Sequence, residues 1–264
     1  MWNTSNLTNK KNSGMTLVEL LVAFAISAVV LAGLSSIIFS VLQFYGRSNA
    51  HVEIQNEAQT SLNLVIDSII SAKGVCFVEQ DASSIDPASD TLTCALFGEI
   101  KLDESGTKAM SFEGEAVLWQ PKYKEMYLLS GTFDLGTYSD ETVAPLEAIE
   151  AMKGKLPANQ EDRIPFLMAQ NVVAFELTGL EECFVEPINK PEEEMTEEEK
   201  RRSGKNYFKN PLVLHINMEF EDEYQTGKVL TRQIDDNVSV RNRLDQVYIQ
   251  REGGGMTKYL RDPG

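Results

Sequence analysis

Positive charge, cysteine and histidine are scarce in this chain of 264 residues. Its 24 Lys and Arg are outnumbered by 40 Asp and Glu, which gives a formal net charge of −16. This balance argues against surfaces for nucleic acid or anionic lipid headgroups, because both need clustered basic side chains. The two histidines, His51 and His215, have no nucleophile or ligand spacing near them, and no phosphate loop, nucleophile elbow or zinc signature occurs. The sequence therefore predicts a protein that is not an enzyme.

Charge is missing altogether from one long stretch, Leu20–Gly46, which contains 27 residues and no proline. A helix needs about 20 apolar residues to span a bilayer, whereas the apolar region of a cleaved signal peptide has about 7–15. Lys10 and Lys11 precede the stretch, and acidic residues follow it soon after Arg47. By the positive-inside rule, we expect a single-pass membrane protein with residues 1–14 in the cytoplasm and the remainder outside.

Glu19 is an exception at the start of this apolar stretch. A lone carboxylate at membrane depth costs a few kcal/mol, so its presence indicates a function. The alternative explanation is structural, because the N-terminal end of a helix tolerates an acidic side chain.

The residues around Glu19 form a motif. The segment "KKNSG" followed by "MTLVELLVAFAI" resembles the processing motif of type IV prepilins and type II secretion pseudopilins. The resemblance implies that a prepilin peptidase cuts after Gly14 and methylates the new amino group of Met15, which stands where the family usually has Phe. It also implies that Glu19, the fifth residue of the mature chain, meets the terminal ammonium of a neighbouring subunit. Such a buried polar pair can set the axial register between helices.

The helix that begins at this motif is predicted to continue far beyond the membrane. Apolar residues at helical spacing form one stripe from Ala58 to Ala72, and Gly74 then provides a stop. We expect one helix over about Met15–Ala72, whose half over 15–45 spans the membrane and whose half over 46–73 packs on the head. The resemblance implies a pilin-like α+β fold with this helix against an antiparallel sheet. Many relatives carry a bending proline in the apolar half, where this chain has Gly33 and Ser36.

The head, predicted over residues 74–250, reads mostly as strands. In "VLHINMEF" (Val213–Phe220), alternate residues predict one solvent face and one core face, and "QTGK" (Gln225–Lys228) predicts a turn. A small helix is expected near Glu141–Met152, and a flexible tail over 251–264. The predicted strands are Leu92–Leu102, Met110–Gln120, Glu125–Phe133, Val172–Leu177, Val213–Phe220 and Val229–Val240.

Cys76 and Cys94 flank a loop rich in Ser, Asp and Pro. Outside the cell a disulfide between them would close this loop, but two free cysteines are an equally good interpretation. In either case Cys183 is left over.

Acidic clusters in the head have two interpretations each, one functional and one as exposed surface. The run Lys190–Arg202 is favoured as a solvated loop or short exposed helix over a partner-docking tract. Glu219–Glu223, Asp235 and Asp236 offer the oxygen ligands that calcium prefers. Because no EF-hand spacing is present, exposed acidic strand ends are favoured, and no cofactor is predicted.

Together these features predict a structural subunit of a type IV pilus or related pseudopilus, with a large head that favours a minor subunit at the start or tip of the filament. Its expected partners are the prepilin peptidase, other pilin or pseudopilin subunits, the inner assembly machinery and the membrane, but not nucleic acid. Before assembly it would be a single-pass membrane protein, and afterwards part of a surface filament or pseudopilus. A filament-carried adhesin is the first alternative, and a membrane-anchored enzyme is the second.

Overall fold

A single helix, α1, runs without interruption over Leu17–Ser71 and through Gly33 and Ser36. The predicted helix of Met15–Ala72 is thus confirmed to within two residues at each end. The structure is a computed structural model. It describes residues 15–78, 93–102, 104, 109–138, 143–179, 183–185, 187–188, 190–209, 211–225, 227–240, 246–250 and 256–262. Residues 1–14, including Gly14, lie outside the described residues.

The chain divides into two compact units, residues 1–49 and residues 50–264. The described part of the first unit is the N-terminal portion of α1, and its large apolar side chains from Met15 to Tyr45 are 47% to 77% exposed. Among the described residues, α1 is the one helix long and apolar enough to cross a membrane.

The second unit contains the end of α1, two short helices and two β-sheets. The helices are α2 (Val143–Lys153) and α3 (Glu197–Arg202). The strands are β1 (Gly74–Val78), β2 (Thr93–Leu102), β3 (Ala109–Gln120), β4 (Glu125–Tyr138), β5 (Leu167–Ala169), β6 (Val172–Gly179), β7 (Phe184–Val185), β8 (Asn206–Phe208), β9 (Leu212–Gln225), β10 (Lys228–Val240), β11 (Gln246–Gln250) and β12 (Met256–Arg261).

Nine strands form the larger sheet in the order β5-β4-β3-β2-β1-β11-β12-β8-β7, and the smaller sheet has the order β10-β9-β6. The pairing is antiparallel except for β1 with β11 and β12 with β8, which run parallel. The predicted α+β class, with a long helix and a mostly antiparallel head, is therefore confirmed.

The larger sheet has a core on each face. In β2, Ala95 and Phe97 belong to the core that contains the end of α1 and the smaller sheet, whereas Leu96 belongs to the core beneath α2. On α1 the buried stripe includes Ile54, Ala58, Leu62, Val65 and Ile69. Each large apolar side chain that is fully buried contributes about 1.5–3 kcal/mol, so this stripe fixes the second half of α1 in the head.

The six predicted strands all form, as do the small helix and the hairpin turn. Leu214, Ile216, Met218 and Phe220 are fully buried, as the alternation in β9 predicts. The predicted flexible tail is wrong over Met256–Arg261, because β12 pairs with β11 on one side and β8 on the other. This segment is ordered by pairing with strands that are distant in sequence. The glycine-rich composition around it does not reveal such pairing.

Candidate processing and assembly site

Thr16 and Glu19 form a reciprocal cap at the start of α1. The Glu19 N–H donates to Thr16 Oγ1 at 3.2 Å, and the Thr16 N–H donates to Glu19 Oε2 at 2.9 Å. The Thr16 hydroxyl also donates to Glu19 Oε2 at 3.0 Å. This capping box satisfies amides that the first helical turn leaves without partners. The structural explanation for Glu19 therefore has a definite geometric basis.

The cap leaves part of the Glu19 carboxylate available. Both bonds from Thr16 end on Oε2, and no described residue donates a hydrogen bond to Oε1. Met15, which would carry the new amino terminus, directly precedes Thr16 and is 67% exposed. An exposed carboxylate oxygen thus lies close in sequence to the expected site of processing. Gly14 itself lies outside the described residues.

An apolar surface without charge continues along α1 from this cap. Within the span of Leu20–Gly46, side chains on all sides of the helix are exposed, and examples are Val29, Leu31 and Phe44. A helix that is apolar all round needs a bilayer or other apolar helices around it. The first unit therefore has the chemistry of a membrane anchor.

The two cysteines that a disulfide would join lie on neighbouring strands, but not opposite each other. In the ladder of β1 and β2, Cys76 pairs with Leu96, which is two residues from Cys94. Cys94 in turn pairs with Leu118 of β3. Cys76 and Cys94 are thus diagonal in the backbone register, and the disulfide and the two free cysteines both stay predictions. Cys183 is buried and free, and its Sγ lies 3.9 Å from the carbonyl oxygen of Pro211.

The Glu-rich run contains a short exposed helix, α3, as one of the sequence interpretations had it. Thr196 caps this helix, and Glu199 accepts bonds from Thr196 and from Lys190 Nζ, the latter at 2.6 Å. The bond from Lys190, with those from Thr196, lowers the pKa of Glu199 to about 2. At the other end Arg202 pairs with Asp262 at 2.8 Å. Local ion pairs therefore account for much of the charge in this run.

The surroundings of the two histidines and of the acidic clusters are visible in the described part of the chain. His51 is exposed on α1, and His215 Nδ1 lies 3.0 Å from Asn237 Oδ1. Glu221, in the acidic cluster considered as a calcium site, pairs with Lys124 at 2.6 Å. Among the described residues no group of three or more His, Cys, Asp or Glu side chains could hold a metal ion.

The sequence reasoning missed a buried polar network beside β4. The Tyr127 hydroxyl donates to Glu125 Oε2, while Gln160 donates to Glu125 Oε1 at 3.0 Å. Arg163 donates to Gln120 Oε1 at 2.5 Å and so joins β3 to the same region. Burial, followed by the bond to Glu125, raises the pKa of Tyr127 to about 12. These residues are distant in sequence, so no local pattern indicates their contact.

The described chain thus combines a capped apolar helix with an α+β head. The chain matches the prokaryotic N-terminal methylation motif over residues 9–35. No curated protein and no solved structure matches it significantly. This match and the long apolar helix support a type IV pilin-like protein, and the resemblance is confined to the N-terminal segment.

Proposed function

We propose that this protein is a minor pilin or pseudopilin subunit, made as a prepilin and cut after Gly14, with its new terminus methylated at Met15. The observation that carries the proposal is the methylation motif at residues 9–35, joined to an apolar helix with an exposed surface. Extraction of this helix from the bilayer into a bundle of similar helices would keep its apolar area away from water throughout assembly.

Glu19 sets the register in this proposal. Its Oε2 retains the cap with Thr16, while Oε1 accepts the terminal ammonium of a neighbouring subunit. Two charges that are costly in an apolar layer then neutralise each other. Because the ammonium reaches the carboxylate at one axial offset only, the pair selects a single stagger between adjacent helices.

The size of the head supports a minor rather than a major role. The second unit covers residues 50–264 and contains a nine-stranded sheet, a three-stranded sheet and α2. A subunit of this size suits the start or tip of a filament, where few copies have to pack side by side. In this proposal residues 1–14 face the cytoplasm before cleavage, and the head lies outside, finally in a surface filament or pseudopilus.

Mass spectrometry of the N-terminus tests the proposal. The protein would be isolated from its native membrane, with and without the prepilin peptidase. The expected mature chain begins at N-methylated Met15 only when the peptidase is present. Gly14→Val should block processing, whereas Gly33→Ala is the matched control, since no atom lies within 4 Å of a Cβ built there. A chain that keeps residues 1–14 while the peptidase processes other pilins would contradict the proposal.

A further inference from the structure

The outer strand of the smaller sheet is long, and on one side no strand from the described part of the chain pairs with it. β10 has 13 residues and ends the order β10-β9-β6, so no described strand lies beyond it. An edge of this length presents backbone N–H and C=O groups that another extended chain can pair with. Two features of its first half distinguish it from an edge that is simply left in solvent.

The first feature is incomplete cover of its apolar side chains. Val238 and Val240, in the second half of β10, are buried, and so is the adjoining face of β9. Leu230 and Ile234, in the first half, are only partly buried against the same core. Val229, at the same end, is 51% exposed.

The second feature is Arg232, which lies between Leu230 and Ile234 on this partly covered face. Its Nε is buried and has no hydrogen-bond partner, and no ion pair among the described residues includes it. The carboxylate nearest by register is Asp222, which pairs with Leu230 and is therefore diagonal to Arg232, but the two form no ion pair. A buried donor without a partner is costly, and a guanidinium is well shaped to bind a carboxylate through two parallel bonds.

We propose that the edge of β10 is the docking site for an extended segment of a neighbouring pilin-like subunit, which adds as a strand and places a carboxylate on Arg232. Added strands gain affinity from main-chain bonds and specificity from alternate side chains. Here the complementary segment carries apolar side chains over Leu230 and Ile234 and one acidic side chain between them. This inference rests on the proposed function, since the occupant is another subunit of the same assembly.

Photocrosslinking of the full-length chain in its native host tests this inference. A benzophenone amino acid replaces Val229, and the chain is expressed with the host's other pilin-like subunits. The expected product is a crosslink between the benzophenone at position 229 and another subunit. Arg232→Glu should reduce the yield by at least about tenfold, because it buries a carboxylate against the incoming one. Asp222→Asn is the matched control, since it changes a charge on the same face without touching the proposed pair, and it should leave the yield unchanged.

Several outcomes would overturn the docking site. These are crosslinks to lipid, crosslinks within the same chain, a yield insensitive to Arg232→Glu, or an equal loss with Asp222→Asn. Arg232→Met guards against misfolding, because it removes the charge while keeping an apolar stem. It should also lower the yield without lowering the thermal midpoint, because it removes a buried donor that has no partner. The N-terminal mass, read from the same sample, tests processing separately, so failure of the proposed function is distinguishable from failure of the docking site.

Discussion

At the scale of single residues, Glu19 has a local role in the helix cap and, in the proposed function, an intermolecular role as well. Its bonds to Thr16 explain why a helix can begin with an acidic third residue, and this is a property of the chain alone. The same bonds occupy one carboxylate oxygen, so the second remains for a partner. The two explanations drawn from the sequence are therefore compatible, and substitutions can separate them.

Glu19→Gln should preserve the cap and weaken assembly. The amide oxygen can still accept the bonds from Thr16, but the negative charge that would meet a terminal ammonium is gone. We expect normal cleavage after Gly14. The filament fraction should fall by at least about tenfold, because the terminal ammonium binds a charged carboxylate more strongly than a neutral amide. Immunoblots of sheared filaments and membranes measure this ratio. Thr16→Val is the control for the cap, and an equal loss with that variant would assign the effect to helix capping instead.

Glu57 is a residue whose environment opposes its charge. It lies on α1 beyond the predicted span of 15–45, where its Oε1 accepts the N–H of Gln170 at 2.5 Å. Burial raises the pKa of Glu57, Asp222 and Glu53 raise it further, and the bond from Gln170 opposes them. Because the folded state holds this proton more tightly than the unfolded state, the ionised form costs stability at neutral pH.

Glu57→Gln should therefore stabilise the head at neutral pH, by a few tenths of a kcal/mol at most because water screens a half-exposed group. The gain should disappear as the pH falls through the folded pKa towards the unfolded value near 4.5. Thermal unfolding in detergent at several pH values measures the difference. Asp67→Asn, at an exposed position on α1 that does not contribute to the pKa of Glu57, is the control. A gain that grows towards acidic pH would contradict this reasoning.

At the scale of elements, the larger sheet depends on a close approach between glycines. Gly98 of β2 pairs with Gly114 of β3, and Gly114 pairs with Gly131 of β4. A Cβ at Gly98 would lie 2.3 Å from the Glu113 carbonyl oxygen and 2.8 Å from the Gly114 Cα. Backbone atoms cannot move aside as a flexible side chain can, so these strands must separate to accept a methyl group.

Gly98→Ala should accordingly destabilise the head by about 1–3 kcal/mol, the usual range for overpacking. Denaturant unfolding of the detergent-solubilised chain provides the measurement. Gly154→Ala is the control after α2, since the nearest atom to its added Cβ is 3.4 Å away. Equal midpoints for both variants would show that the β2–β3 ladder can relax around the added group.

The last strand connects distant parts of the larger sheet. β12 lies between β11 and β8, and just beyond it Asp262 donates its N–H to the Phe208 carbonyl at 2.9 Å and accepts from Arg202. Without β12, the segment of β7, β8 and α3 loses its pairing to the rest of the sheet.

Deletion of residues 256–264 should cost at least about 2 kcal/mol, because several backbone hydrogen bonds at roughly 0.5–1.5 kcal/mol each are lost. Limited proteolysis should then cleave near α3 first. A chain that stops after Asp262 is the control and should match the full chain. Undiminished protease resistance of the longer deletion would show that β12 adds little to the sheet.

At the scale of the whole molecule, the two units have opposite solvent requirements. The first exposes an uncharged apolar surface, whereas the second buries its apolar stripe and carries most of the acidic residues. The acidic balance after the apolar stretch and the lysines before it give the expected orientation.

Protease added outside intact spheroplasts should therefore digest the head and leave a protected fragment that contains the apolar span. Detection with an antibody to an epitope placed before Met1 checks protection of the leader in cells that lack the peptidase. Detergent should abolish the protection. Digestion of the epitope without detergent would reverse the proposed orientation.

The sequence by itself determined the elements whose signals are local. The apolar stretch, the motif around Glu19 and the alternation in β9 each reflect a repeat or a spacing within a few residues, and the long helix and six strands followed from them. Tertiary structure alone decided which distant segments pair. The short strands β5, β7 and β8, the order of β12 and the contact of Arg163 with Gln120 depend on partners far away in the chain. Local composition does not indicate such partners. The free energy that stabilises their pairing comes from burial and hydrogen bonds that form only when the sheets assemble.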